Sequence, residues 1–205
     1  MTPLLLYTHN RGKLAELRAL LAADPALCSR FDVLSADDVG APDVEETGDT
    51  FADNAALKAR AGAALGYLTV ADDSGLVVDA LDGAPGVWSA RFAGEPKDDE
   101  ANNRLLLERL ADTPPAERGA RFVSVICCAF PDGRAFFVEG SVEGSVLLSP
   151  LGDGGFGYDP LFFVPQLGCT MAQATPEQKN AVSHRGRAMR LFCERIRTLT
   201  ADGAL

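Results

Sequence analysis

The stretch Leu4-Leu5-Leu6-Tyr7-Thr8-His9-Asn10-Arg11-Gly12-Lys13 decides the fold class of this chain. Its first four residues form a short apolar run, which is typical of a buried strand. Leu14, Leu17 and Leu21 then recur at helical spacing after the polar turn. A buried strand followed at once by an amphipathic helix favours the α/β class.

Further strands and helices are predicted along the rest of the chain. Thr50-Phe-Ala-Asp53 resembles a capping box and opens a helix. Two β-rich runs flank the turn Pro131-Asp-Gly133, which predicts a hairpin that could project as a second lobe beside a cleft. Strands are predicted at 4–7, 31–34, 68–71, 121–130 and 134–146, and helices at 14–21, 50–66, 98–110 and from about 176 onward.

Composition and net charge argue against several classes of function. The 205 residues carry a net charge of −10, which disfavours binding to a nucleic-acid polymer. No apolar run is long enough to cross a bilayer, and the N-terminus lacks the features of a signal peptide. The five cysteines form no C-x-x-C pair, so we expect buried free thiols in a reducing cytoplasm.

The turn from Thr8 to Lys13 is a candidate phosphate site. Unpaired N–H groups at a helix N-terminus favour anions, and Lys13 adds a full charge. The alternative is that Asn10 only caps the helix and Lys13 is solvated. The turn lacks the first glycine of a Walker A loop, and Leu14 follows its lysine.

Two acidic pairs are candidates for metal binding and general base catalysis. Asp72-Asp73 follows apolar strand residues, where two carboxylates are unfavourable without partners. Alternation along the strand sends them to opposite faces, so only one can point to a given site. Glu45-Glu46 is a second pair, and Mg²⁺ commonly takes one or two carboxylates plus substrate phosphates. Lys58 shares a helical face with Asn54, although an exposed lysine is the alternative.

Two later segments could bind the rest of a nucleotide. Four glycines between Gly152 and Gly157 allow close approach of a ligand, and Phe156 and Tyr158 could stack on a base. The alternative is a turn with two core aromatics. Lys179 with Ser183-His184-Arg185-Gly186 offers donors for ligand oxygens, or these residues could cap and solvate a helix. Together the segments contain the parts of a nucleotide hydrolase.

The ordered set of motifs resembles the inosine triphosphate pyrophosphatase family, over nearly the whole chain. The matching segments are Thr8-His-Asn-Arg-Gly-Lys13, Glu45-Glu-Thr-Gly48, Phe51-Ala-Asp-Asn-Ala55, Leu57-Lys-Ala-Arg60, Ala71-Asp-Asp-Ser-Gly-Leu76, Gly83-Ala-Pro-Gly86, Ser89-Ala-Arg91, Gly154-Gly-Phe-Gly-Tyr-Asp-Pro160 and Ser183-His-Arg-Gly186.

The resemblance implies hydrolysis of non-standard purine nucleoside triphosphates (ITP, dITP, XTP) to the monophosphate and pyrophosphate. It also implies one domain over residues 1–205, with a mixed twisted β-sheet flanked by helices, an elongated two-lobed shape and a central active-site cleft. Family members are usually homodimers. The residues that it assigns to substrate are Thr8, His9, Asn10, Arg11, Gly12, Lys13, Lys58, Ser74, Phe156, Gly157, Tyr158, Asp159, Lys179, His184 and Arg185. Asp73 would be the general base, and Glu45, Glu46 and Asp73 would hold Mg²⁺.

Two positions depart from the family pattern. His9 stands where glycine is usual, and Trp88 stands where tyrosine is common. If the His9 position needs a left-handed backbone, histidine tolerates it less well than glycine. Two rival functions are a Maf-like pyrophosphatase that acts on standard or pyrimidine nucleotides, and a nucleotide sensor without turnover. The Phe-Gly-Tyr-Asp segment argues against the first, and retention of Asp73 and the acidic pair argues against the second.

Overall fold

The computed structural model describes residues 1–203 and contains one mixed sheet of seven strands. The strands are β1 Thr2–Leu6, β2 Phe31–Ser35, β3 Leu68–Val78, β4 Gly119–Ala129, β5 Ala135–Val146, β6 Phe162–Val164 and β7 Cys169–Thr170. Their hydrogen-bonded order is β2-β1-β3-β4-β5-β6-β7. β1 pairs parallel with β2 and β3, whereas the pairs β5–β6 and β6–β7 are antiparallel. The prediction of an α/β fold with a mixed sheet and flanking helices is therefore confirmed.

Six α-helices accompany the sheet in the described residues. Each of the four longest has an amphipathic segment or a capping residue that the sequence marks, such as Asn10 before the first and Thr50 before the third. The helices are α1 Arg11–Ala22, α2 Pro25–Cys28, α3 Phe51–Ala64, α4 Asp99–Arg109, α5 Pro176–Val182 and α6 His184–Ala201. No helix among residues 1–203 combines the length and hydropathy that a bilayer span requires.

The chain packs as two compact units. The first comprises Met1–Asp73, Ser124–Gly140 and the segment from Arg185 onward, and the second comprises Ser74–Val123 and Ser141–His184. The chain thus passes from one unit to the other four times, at 73–74, 123–124, 140–141 and 184–185.

The first unit has apolar side chains on both faces of β1. Leu4 and Leu6 belong to a cluster that includes residues of α1 and α6. Leu5 and Tyr7 belong to another cluster, which includes alanines of α3. Because both faces are covered, the strand reads as a continuous apolar run rather than an alternating one.

The second unit has its own core. Leu76 and Val78 of β3 pack with Leu106 and Leu110 at the end of α4 and with aromatic residues that include Phe162. The polar site residues of the first unit are therefore placed by two hydrophobic clusters, and those of the second unit by a third.

Three details differ from the sequence predictions. β3 does not end at Ala71 but continues through Asp72-Asp73-Ser74-Gly75 to Val78. The turn end of the β4–β5 hairpin belongs to the first unit, so the hairpin is not itself a second lobe. The predicted C-terminal helix is two helices, because Ser183 is extended with ψ of 156°.

The cysteines are free, as expected, but not all of them are buried. Cys127, Cys128 and Cys193 are buried, whereas Cys28 is exposed and Cys169 is half-buried. Burial raises the pKa of the Cys127 and Cys193 thiols to about 11, so neither is a reactive thiolate near neutral pH.

Candidate active site

The turn between β1 and α1 is held by its own side chains. Thr8 Oγ1 accepts the Asn10 N–H at 3.1 Å, and Asn10 Oδ1 accepts the Lys13 N–H at 3.0 Å. Asn10 therefore caps α1, as the alternative interpretation of this turn predicted. Since α1 begins at Arg11 and Asn10 already accepts the Lys13 N–H, the N–H groups of Arg11 and Gly12 are the ones at the start of the helix that can face an anion.

His9 anchors this turn to the loop after β2. Its Nδ1 lies 2.7 Å from Asp37 Oδ1, and its Nε2 lies 3.5 Å from Asp43 Oδ1. Among the non-glycine residues from Met1 to Gly203, only Asp82 has a positive φ. The backbone at His9 is therefore one that any residue adopts, and the position does not require glycine.

Asp72 is fully buried among positive charges. Lys13 Nζ lies 2.9 Å from Asp72 Oδ2, and the Arg185 guanidinium approaches the same oxygen at 3.4 Å. Ser124 Oγ donates to Asp72 Oδ1 at 2.5 Å, and Arg185 also pairs with Glu16. Burial raises the pKa of the Asp72 carboxyl, but the charges of Lys13 and Arg185 outweigh it and hold the pKa well below its ordinary value. Asp72 is thus a permanent anion in the first unit.

The interpretations of Lys13 and Arg185 as solvated residues are wrong. The Lys13 side chain is 16% exposed and the Arg185 side chain 2% exposed. No sequence pattern indicated a role for Ser124 or Glu16. A single serine between valines of β4 is a polar residue at a buried position, and that pattern could have marked Ser124.

Asp73 lies beside a lysine, and its two carboxylate oxygens differ in their contacts. Lys58 Nζ is 3.3 Å from Asp73 Oδ1 and 2.6 Å from Glu46 Oε1, and it donates to the Asp72 carbonyl oxygen at 3.0 Å. Asp73 Oδ2 is buried and has no hydrogen-bond partner among the described residues. Burial raises the pKa of Asp73 above its ordinary value, although the positive charge of Lys58 opposes it. Asp73 therefore has an acceptor oxygen available and an increased affinity for a proton.

Lys58 is half-buried rather than exposed, with 12% of its side chain accessible. Burial lowers its pKa, but the carboxylates of Asp73 and Glu46 outweigh burial and leave the pKa above its ordinary value. The ammonium is therefore a stable cation between two carboxylates, and the alternative of a solvated lysine is wrong.

Glu46 and Asp73 fit a metal ion that also binds substrate. Both point to one cation, and the unpaired Oδ2 of Asp73 is a hard oxygen ligand. Within residues 1–203, no three His, Cys, Asp or Glu side chains are grouped closely enough to hold a metal ion by themselves. A metal here would need oxygen ligands from a substrate or water. The side chain of Glu45, the third predicted metal ligand, is exposed.

The glycine-rich segment of the second unit holds a separate group of predicted residues. Asp159 Oδ2 accepts the Phe156 N–H at 2.9 Å and lies 2.6 Å from Lys179 Nζ. Lys179 Nζ is also 4.9 Å from the centre of the Phe156 ring. A Cβ at Gly155 would meet Asp159 Oδ2 at 2.1 Å, so only glycine fits there. The structure therefore joins Phe156, Asp159 and Lys179 in one cluster.

The other predicted residues of this unit are placed differently. Tyr158 is a core residue, as the alternative held, and its hydroxyl donates to the Ser89 carbonyl oxygen at 2.9 Å. His184 is buried and stacks on Phe122 with ring centres 4.8 Å apart. Ser74 is half-buried in β3. Lys179 and His184 do not simply solvate a helix, because both side chains are buried.

Comparison with known proteins identifies the family. Residues 4–195 match the model of the Ham1 family. The chain belongs to this family. The dITP/XTP pyrophosphatase of Desulforamulus reducens is 52% identical over 197 residues, covering 96% of each chain. That of Geobacter sulfurreducens is 50% identical over 198 residues, covering 96% of this chain and 97% of the relative. The resemblance inferred from the motifs is thereby confirmed.

Solved structures of family members have the same fold. The Staphylococcus aureus Ham1 protein aligns with a TM-score of 0.84 at 41% identity, covering 96% of this chain and 99% of the other. A nucleoside-triphosphatase / dITP/XTP pyrophosphatase from Mycobacterium abscessus aligns with a TM-score of 0.74 at 46% identity, covering 93% and 98%.

Proposed function

We propose that this chain hydrolyses the non-standard purine nucleoside triphosphates ITP, dITP and XTP to the monophosphate and pyrophosphate. Its Ham1 relatives named dITP/XTP pyrophosphatase support the substrate class. One observation carries the mechanism. Asp73 is a buried carboxylate with a raised pKa and an unpaired oxygen, beside Lys58 and Glu46.

Asp73 acts as the general base. Its carboxylate takes a proton from the attacking water, whose oxygen adds to phosphorus as the anhydride between the α- and β-phosphates breaks. The Asp73 oxygen without a hydrogen-bond partner among the described residues is free to accept this proton.

The first unit binds the triphosphate. The N–H groups and side chains of the turn from Thr8 to Lys13 contact phosphate oxygens, and Lys58 adds a second cation. Glu46 and Asp73 would hold Mg²⁺, and Glu45, whose side chain is exposed, remains the third ligand predicted from the sequence. When bound, the ion would neutralise charge on the phosphates as the anhydride breaks.

The remaining predicted residues bind the base and sugar. Phe156 stacks on the purine, while Ser74, Gly157, Tyr158 and Asp159 shape the surrounding site. Lys179, His184 and Arg185 supply donors for the 6-oxo group of hypoxanthine or xanthine. A 6-amino group would place donor against donor and leave buried groups unpaired, which disfavours adenine.

The assembly and location follow from the family resemblance. We infer a homodimer of single-domain chains, 1–205, acting in the cytoplasm with a small-molecule substrate and no nucleic-acid or membrane partner. The net charge of −10 supports the exclusion of nucleic acid. Light scattering of the purified protein tests the dimer, and a monomer mass would contradict it.

The decisive experiment measures pyrophosphate release with Mg²⁺ from ITP, dITP, XTP, ATP, GTP and dTTP. Strong preference for the first three is expected. Equal activity on all six would contradict the proposed selectivity. Binding of ITP without any pyrophosphate release would instead favour a nucleotide sensor.

A further inference from the structure

Both the N–H and the carbonyl group of Gly157 are hydrogen-bonded to side chains on one face of α4. Asp99 Oδ2 accepts the Gly157 N–H at 2.7 Å, and Asn103 Nδ2 donates to the Gly157 carbonyl oxygen at 2.9 Å. Asp99 and Asn103 are four positions apart, so they share a helical face. Gly157 has φ of +61°, a conformation that glycine can leave as easily as it enters. These two contacts therefore fix a position that would otherwise be free to rotate.

The contacts of Asp99 and Asn103 with Gly157, here called the clamp, lie on one side of Phe156 in the chain. A second set of polar contacts lies on the other side. Asp159 accepts the Phe156 N–H and pairs with Lys179, whose ammonium faces the Phe156 ring. The ring is only half-buried, and it does not belong to the hydrophobic core of the second unit. Polar contacts to the backbone on both sides therefore help to fix the direction of the ring.

We propose that Asp99 and Asn103 are positioning residues that hold Phe156 ready to stack on the purine base. This inference rests on the proposed function, because it takes Phe156 as the base platform. A ring that is already fixed loses less conformational entropy when the nucleotide binds, so the clamp improves affinity without touching the substrate.

A simpler role for Asp99 would be to stabilise α4 as an acidic residue in its first turn. A substitution at Asp98 distinguishes these two roles of Asp99. Asp98 caps the same helix by accepting the Ala101 N–H at 3.0 Å, and its carboxylate takes no part in the Gly157 contacts. Asp98→Ala is therefore a matched control for loss of helix stability alone.

The test compares KM and kcat for ITP in Asp99→Ala, Asn103→Ala, Asp99→Asn and Asp98→Ala. Loss of one of the two hydrogen bonds is expected to raise KM about three- to tenfold. The kcat should stay within about twofold, because the base is bound in ground and transition states alike. Asp99→Asn keeps an acceptor oxygen and should restore most of the affinity, while Asp98→Ala should leave KM unchanged.

Hydrogen exchange at the Gly157 amide gives a readout that needs no turnover. Protection should fall in Asp99→Ala and persist in Asp98→Ala. An unchanged KM in Asp99→Ala, or an equal rise in Asp98→Ala, would overturn the inference. If Asp99→Ala does not fold, the milder Asn103→Ala decides by the same criteria.

Failure of the proposed function is distinguishable from failure of the clamp. Wild-type protein that releases no pyrophosphate from ITP would contradict the function, and calorimetric binding of inosine monophosphate would then test the clamp. Weaker binding in Asp99→Ala than in Asp98→Ala supports the clamp. Equal affinity in the two variants, or no binding even by the wild type, overturns it.

Discussion

Asp72 and Asp73 are neighbours in β3, but their surroundings differ sharply. Asp72 is enclosed by Lys13, Arg185 and Ser124, and its pKa is held well below the ordinary value. Asp73 has one lysine and an oxygen without a hydrogen-bond partner among the described residues, and its pKa is raised. Because side chains alternate along a strand, the two carboxylates point to opposite faces. Asp72 faces buried cations, whereas Asp73 faces a site in which one of its oxygens has no hydrogen-bond partner among the described residues.

This difference indicates a division of roles. A buried anion with matched partners stabilises the fold and orders the cations around it, whereas a buried anion with too few partners is retained for its chemistry.

The largest expected effect on stability is that of Asp72→Asn. The variant leaves Lys13 and Arg185 without their shared carboxylate in a buried place. Loss of one partner of a buried ion pair is expected to lower the free energy of unfolding by about 3–5 kcal/mol. Urea denaturation at neutral pH measures it, and a loss below about 1 kcal/mol would show that Asp72 is not a structural anion.

The second largest effect should be the loss of the free energy of unfolding as the pH falls. Because the folded-state pKa of Asp72 is lowered, its contribution is present above the unfolded pKa of about 3.9 and is lost as pH falls toward the folded value. Asp73 has the opposite sign, since its raised pKa favours the protonated folded state and its penalty grows as pH rises. Asp72→Asn should therefore flatten the acid limb of a stability-against-pH curve. An unchanged acid limb in this variant would contradict the assignment.

The acidic pair allows a matched comparison of Glu46→Gln with Glu45→Gln. Glu46 contacts Lys58 beside Asp73, whereas the Glu45 side chain is exposed. Glu46→Gln should raise the Mg²⁺ concentration needed for half-maximal pyrophosphate release at least about tenfold, the loss seen even for groups that only orient a metal ligand. A smaller shift is expected for Glu45→Gln. Equal shifts would place both glutamates at the ion.

The smallest expected effect is that of His9→Gly, which introduces the usual family residue. The variant loses the contacts with Asp37 and Asp43, both at exposed carboxylates. We expect the free energy of unfolding to fall by about 1 kcal/mol or less, measured by urea denaturation. A gain in stability would mean that histidine strains the turn.

Much of the fold could be predicted from local patterns. The apolar run before Thr8, the cap at Thr50 and the turn at 131–133 each define an element from a few neighbouring residues. The extension of β3 could not be predicted this way, because it depends on distant partners. Arg185 pairs with Asp72 from 113 positions away, and Ser124 from 52.

The candidate site shows the same limit. Residue types and their order indicated Lys13, Lys58 and Asp73, and family resemblance added their roles. The sequence alone did not distinguish Asp72 from Asp73, since alternation says only that they face opposite ways. Which carboxylate is neutralised depends on side chains from α1, β4 and α6, and these are adjacent only in the folded chain.

The most direct test of this division is Asp73→Asn, measured for pyrophosphate release from ITP and for stability together. Removal of the general base should lower kcat about 10²- to 10⁴-fold. Because the Asp73 charge is destabilised by burial, the free energy of unfolding at neutral pH should equal or exceed that of the wild type. Activity near the wild-type level, or a loss of stability as large as that of Asp72→Asn, would contradict the account.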